Sequence, residues 1–82
     1  MECIIEMNKR LKELKDIEIY DTFSADKCYF KKDRFELMVC TRDFITLGRE
    51  YILHIYNRPT KKWMPIYNAK TIDDLIKYIE KI

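Results

Sequence analysis

Both ends of the chain show apolar residues at three- and four-residue intervals, the spacing typical of an amphipathic helix. Near the N-terminus these positions are Ile4, Met7, Leu11 and Leu14. Charged residues occupy most of the sites between them, so one face of the segment is apolar. The pattern predicts a helix that ends near Lys15 or Asp16.

The C-terminal segment has the clearest helix signals. Thr71 is typical of an N-cap, and Asp74 resembles the acidic partner of a capping box three residues later. Asp73 also suits the positive end of the helix dipole. Apolar residues then recur at helical spacing, at Ile72, Leu75, Ile76 and Ile79. We therefore expect a helix that buries Leu75.

Between the helices the apolar spacing falls to two residues, as in half-buried strands. The alternation predicts strands over residues 17–23, 28–30, 35–40, 51–56 and 62–67. Residues 31–34 are expected to form a hairpin turn, and a second turn follows Asn57 because Pro59 fixes φ. Pro65 cannot donate to a ladder, so the last strand should either lie at a sheet edge or end there.

Residues 41–49 fit neither period. Here Phe44-Ile45-Thr46-Leu47 lies between Asp43 and the only glycine, Gly48. We expect a connection with an apolar plug and room for one helical turn, in which Gly48 takes a positive φ.

These elements predict an α+β fold, with an N-terminal helix, a four- to five-stranded antiparallel β-meander and a C-terminal helix. A chain of 82 residues is expected to form one compact domain over residues 1–82. Because each helix has one apolar stripe and the strands alternate, the expected packing is a two-layer sandwich.

Composition excludes several classes of protein. With 16 basic and 14 acidic residues the net charge is +2, which by itself indicates neither nucleic acid nor membrane. No apolar run is long enough for a membrane span, and the charged N-terminus does not resemble a signal peptide. A cytoplasmic location is therefore expected.

Few residues suit catalysis or metal binding. Three cysteines at irregular spacing favour thiols, with a bridge between Cys28 and Cys40 as the alternative. The single histidine, His54, has no paired ligand spacing, and one glycine is too few for a phosphate loop. We expect no metal, no cofactor and no enzymatic activity.

Positive charge is concentrated in residues 49–70, which hold five basic residues and one acidic residue. The candidate partner-binding residues of this basic hairpin are Arg58, Lys61, Lys62, Trp63, Tyr56 and Tyr67. Aromatic and basic side chains together suit an acidic protein surface or nucleic acid.

The segment 16–48 is acidic overall. Its weaker candidates for meeting a basic groove are Asp21, Asp26, Asp33, Glu36 and Asp43.

The leading functional hypothesis is a small non-enzymatic protein-binding module. The Lys-, Ile- and Tyr-rich composition is typical of AT-rich genomes, including those of phages and mobile elements. The expected role is inhibition of a nucleic-acid-handling host defence enzyme, as in anti-CRISPR proteins, by stoichiometric occlusion of its surface. One alternative is a nucleic-acid-binding domain that uses hairpin 49–70. A weaker alternative is a small ribonuclease toxin that uses His54. A free sheet edge also leaves a homodimer open.

Overall fold

A β-meander forms most of the chain. The computed structural model describes residue 7 and residues 9–21, 27–44 and 48–82, with only the backbone of residues 20, 21, 43 and 44. Within these residues it contains a five-stranded antiparallel sheet and two short helices. The strands are β1 (Ile17–Asp21), β2 (Lys27–Lys32), β3 (Phe35–Phe44), β4 (Gly48–Asn57) and β5 (Lys62–Ala69). They pair in chain order, which confirms a small α+β fold built on a meander.

Strands β3 and β4 are longer than the sequence pattern predicts. Thr41 pairs with Tyr51 and the ladder continues to Phe44 opposite Gly48, so the predicted connection is wrong for residues 41–44 and 48–49. Antiparallel pairing supplies partners for backbone groups that a loop would leave to water. Gly48 has the expected positive φ, 82°. The predicted plug at residues 45–47 lies outside the described residues.

The hairpin between β2 and β3 is tighter than predicted. Lys31 and Lys32 belong to β2, and Lys32 pairs with Phe35, so only Asp33 and Arg34 form the turn. Asp33 has φ 58°, a left-handed conformation that aspartate tolerates better than most residues.

The first helix, α1, comprises residues 9–12, and residue 7 is also helical. It ends before the predicted Lys15 because short backbone bonds close its last turn. The Leu14 N–H donates to the Leu11 carbonyl at 3.1 Å, and Asp16 then adopts φ 66°. The rest of the predicted helix, residues 1–6, lies outside the described residues.

The second helix, α2, spans Ile72–Lys81 and begins as predicted. The Asp74 N–H donates to Thr71 Oγ1 at 3.1 Å, which confirms the N-cap. Lys32 Nζ donates to the Ile79 carbonyl at 2.6 Å and so satisfies an acceptor near the other end of the helix.

One face of the sheet and both helices share a single apolar core. The sheet contributes Cys28, Phe30, Leu37, Val39, Tyr51, Leu53 and Ala69, and the helices contribute Met7, Leu11, Leu75, Ile76 and Ile79. Arg10 on α1 and Asp73 on α2 form an ion pair at 2.6 Å. Because this pair is exposed, it adds little stability beside the apolar core.

Strand β5 is an edge strand, as Pro65 predicts. Tyr67 pairs with Leu53 and Pro65 pairs with His54, so Ile66 is an extra residue that forms a bulge.

Candidate functional site

The aromatic residues predicted to form one hairpin surface lie on two faces of the sheet. Tyr56 and Trp63 are a cross-strand pair that points away from the helices. Tyr67 pairs with the core residue Leu53 and points toward the helices. Strict alternation would place Trp63 and Tyr67 on one face, but the extra residue Ile66 reverses the side-chain direction between them.

Trp63 lies between two tyrosines on the face opposite the helices. Its ring centroid is 5.1 Å from that of Tyr56 and 5.7 Å from that of Tyr29, each at 60° between ring planes. These distances are typical of attractive edge-to-face or tilted aromatic pairs. We call Tyr29, Tyr56 and Trp63 the aromatic patch. Tyr29 was absent from the sequence prediction because it comes from β2, and only the sheet order brings β2 toward Trp63.

Apolar and polar residues lie beside the aromatic patch on the same sheet face. Met38 and Ile52 are 6% and 7% exposed, although neither of the two described helices covers this side. His54 lies between Met38 and Pro65 in the ladder, and neither neighbour is ionisable. Its Nδ1 atom is buried without a hydrogen-bond partner in the described part of the chain. The ribonuclease hypothesis therefore gains no acid or base from these two cross-strand neighbours and stays a prediction.

Tyr67 is held by α2. Its ring stacks on Tyr78 with centroids 4.0 Å apart, and its hydroxyl donates to both carboxylate oxygens of Asp74 at 2.9 Å. The hydrogen bond to Asp74, then desolvation, then the charges of Asp74 and Tyr78 raise the pKa of Tyr67 above 10.0. The structure thus brings Tyr67 to the helix and separates it from Tyr56 and Trp63.

Two hairpin turns lie at the same end of the sheet. In a meander the turn after β2 and the turn after β4 share one end, which we call the turn end and define as residues 31–36 and 57–62. Its six basic residues are Lys31, Lys32, Arg34, Arg58, Lys61 and Lys62, and its two acidic residues are Asp33 and Glu36. The net charge of the turn end is therefore +4.

Local contacts order the turn between β4 and β5. The Thr60 N–H donates to Asn57 Oδ1 at 3.4 Å, and Lys61 adopts φ 58°. Arg58, Lys61 and Lys62 are all exposed, so the turn presents the cations that the sequence prediction singled out.

A pocket of about 400 Å³ lies at the turn end. We call it the turn-end pocket; its lining includes Phe35, Ile55, Met64, Pro59, Arg34, Arg58 and Glu36. Ile55 packs against the core, whereas Phe35 and Met64 are 36% and 46% exposed. The sequence prediction missed Arg34, Phe35 and Met64. These three residues could have been found from the sequence by their position beside the two predicted hairpin turns.

The four acidic candidates whose backbone is described lie at two opposite ends of the sheet. Asp33 and Glu36 lie at the turn end among basic residues. The backbone of Asp21 and Asp43 lies toward the opposite end of the sheet, and their side chains are not described. Asp26 lies outside the described residues.

The described cysteines remain thiols. Cys28 is buried on the helix side, and Cys40 pairs with Ile52 on the other side, so the alternative bridge between Cys28 and Cys40 is absent. Within residues 9–21, 27–44 and 48–82 and residue 7, no three His, Cys, Asp or Glu side chains cluster as metal ligands would.

Neither helix, over the residues described, has the length and apolarity needed to cross a membrane. Comparison of the chain with protein-family models, curated proteins and solved structures gives no match.

Proposed function

We propose that this protein is a non-enzymatic protein-binding module that occludes a partner's surface. It docks through the aromatic patch and the adjoining turn end. The observation that supports this most is the position of Trp63, half-buried between Tyr29 and Tyr56 on the sheet face away from the helices. Tryptophan, tyrosine and arginine are the residues that most often dominate the energy of protein interfaces.

The proposal takes the helices and the sheet as the two layers of a sandwich. The single core shared by both helices and one sheet face supports this arrangement. In a two-layer molecule the opposite sheet face is available for docking without unfolding any element. The Arg10–Asp73 pair, which joins α1 to α2, supports the placement of both helices on the same side.

We further propose that docking is inhibitory, with a nucleic-acid-handling host enzyme as partner. The balanced net charge of +2 favours occlusion of a protein site over wholesale mimicry of nucleic acid, which would require a strongly acidic surface.

A second candidate function is direct nucleic-acid binding. The charge of +4 at the turn end and the stackable rings of the aromatic patch favour it. Two observations weaken the case for nucleic-acid binding. Tyr67 points toward α2, and the acidic residue Glu36 lies among the cations. Gel retardation of single-stranded DNA and RNA at low and rising salt tests this function, because phosphate contacts weaken steeply with salt.

Affinity capture from the source cell tests the proposed function. The tagged wild type, Trp63→Ser and Ile66→Ser are compared after nuclease treatment. Ile66 is a matched control, an exposed apolar residue on the same strand outside the aromatic patch. Loss of an interface aromatic typically costs about 2 kcal/mol or more, so Trp63→Ser should lower affinity for the captured protein at least about tenfold.

The three proteins are first compared by thermal melting, so that a folding defect is separated from a binding defect. Equal capture by Trp63→Ser and Ile66→Ser would contradict the proposed docking face. Capture that disappears on nuclease treatment, together with salt-sensitive gel retardation, would instead establish the nucleic-acid function.

A further inference from the structure

We propose that the turn-end pocket receives one apolar side chain from a partner segment whose neighbouring residues are acidic. This inference rests on the proposed function and names the chemistry of the partner that the turn end recognises.

The pocket floor is apolar and partly exposed in the described part of the chain. Met64 pairs with Ile55 in the ladder, and Ile55 pairs with the core residue Leu37, so the floor continues the core to a point that the helices do not cover. Phe35, two residues before Leu37, shares this face and is 36% exposed. Covering such side chains removes apolar surface from water and so favours binding.

The pocket is large enough to admit an anchoring side chain. Its volume of about 400 Å³ lies near the lower end of the range for ligand pockets, about 300–1,000 Å³. Since the pocket opens to solvent between two hairpin turns, a chain segment can cross its mouth while a single side chain enters.

The charges around the pocket select acidic neighbours for that side chain. Arg34 and Arg58 line the pocket, and neither forms an ion pair with any residue that the structure describes. Each guanidinium offers several donors in a planar arrangement that suits carboxylates. Lys61 and Lys62 on the adjoining turn add positive charge, so a carboxylate beside the anchor meets an attractive positive potential.

Single-stranded nucleic acid is the alternative occupant of this pocket, because Phe35 and Tyr56 also line it and their rings can stack on bases. Glu36 also lines the pocket and repels carboxylates and phosphates alike, so it does not decide between the two occupants. The aliphatic side chains of Ile55 and Met64, which form the pocket floor, suit an aliphatic anchor better than a base and therefore favour the peptide.

Titration with a defined peptide tests the inference. The probe is a short fluorescent peptide with one central leucine among aspartates and glutamates, followed by anisotropy and by NMR of the Ile55 and Met64 methyl groups. We expect saturable binding that moves these two methyl signals. Met64→Ser should weaken binding about tenfold and Ile66→Ser less than about twofold, because only Met64 lines the pocket.

Charge reversal gives an independent readout. Arg58→Glu should weaken binding about tenfold or more, since it removes a cation and adds a repulsive carboxylate beside the pocket. Lys70→Glu, at an exposed site outside the pocket, carries the same charge change and should leave binding within about threefold.

Three results would overturn the inference: no binding of the peptide, equal binding of a peptide with serine in place of leucine, or tighter binding of a single-stranded oligonucleotide at the same methyl groups. If the peptide fails while capture still depends on Trp63, the pocket inference falls and the proposed function stands. If the peptide binds as expected but no protein is captured, the proposed function fails and the pocket chemistry stands.

Discussion

At the scale of a single residue, Tyr67 ties the edge strand β5 to helix α2. Its hydroxyl reaches both oxygens of Asp74, and its ring lies flat against Tyr78 with 8° between the planes. Asp74 also donates its backbone N–H to the N-cap Thr71. Asp74 therefore takes part both in the N-cap of α2 and in the attachment of α2 to the sheet.

This contact predicts a pH dependence. The neutral Tyr67 hydroxyl donates to Asp74, so its pKa is raised in the folded protein relative to the unfolded chain. The resulting stabilisation is fully present below the ordinary tyrosine pKa of about 10 and is lost as the pH rises through the higher folded value. Asp74→Asn should move the pKa of Tyr67 down toward its ordinary value.

Ultraviolet titration of tyrosinate measures that shift, with Tyr67→Phe to identify which part of the signal belongs to this residue. An unchanged titration curve in Asp74→Asn would contradict the proposed role of the carboxylate.

At the scale of elements, the sequence predicted an element well where all of its signals lie within one short segment. Helix α2 has its N-cap, its acidic first turn and its apolar stripe in one short segment, and it forms as expected. The bulge at Ile66 has no comparable signal, because alternation alone does not show where a strand gains a residue. Pro65 marked the edge of the sheet but did not reveal that Trp63 and Tyr67 would point apart.

The extensions of β3 and β4 escaped prediction for a related reason. Thr41 and Arg42 carry no strong strand pattern of their own, and they become strand because Tyr51 and Glu50 offer matching backbone partners. The neighbouring strand thus decides where a strand ends. The apolar pattern of a single segment carries no information about that neighbour.

The core under α2 makes a direct prediction at this scale. Leu75 is fully buried, so Leu75→Asp would place a charge in the apolar core without a partner. The penalty is several kcal/mol, comparable with the whole stability of a small domain. We expect the variant to lose cooperative thermal melting by circular dichroism.

Lys77→Asp on the exposed side of the same helix is the matched control and should melt cooperatively. A Leu75→Asp protein that melts like the wild type would show that α2 does not pack by this face.

At the scale of the whole molecule, the meander decides which charges act together. Residues 31–36 and 57–62 are distant in sequence, and the first of these segments lies in a part of the chain that is acidic overall. Because both hairpin turns share one end, Arg34 lies with Arg58 beside the same pocket. The basic turn was predictable from composition, whereas the pocket required the sheet order and the register.

The aromatic patch depends on the same long-range order. Tyr56 and Trp63 were predictable as a hairpin pair, but Tyr29 joins them from β2 across β3 and β4. The turn end and the patch together form the docking surface that we propose.

Native mass spectrometry of the nuclease-treated complex from the source cell tests the central claim most directly. Arg58→Glu with Lys62→Glu is compared with Lys70→Glu and Lys77→Glu, a control with the same charge change at exposed sites outside the turn end. The wild type and the control should each form a complex of fixed stoichiometry with one protein partner, and the turn-end variant should lose it. Equal complex formation by both variants would contradict the account.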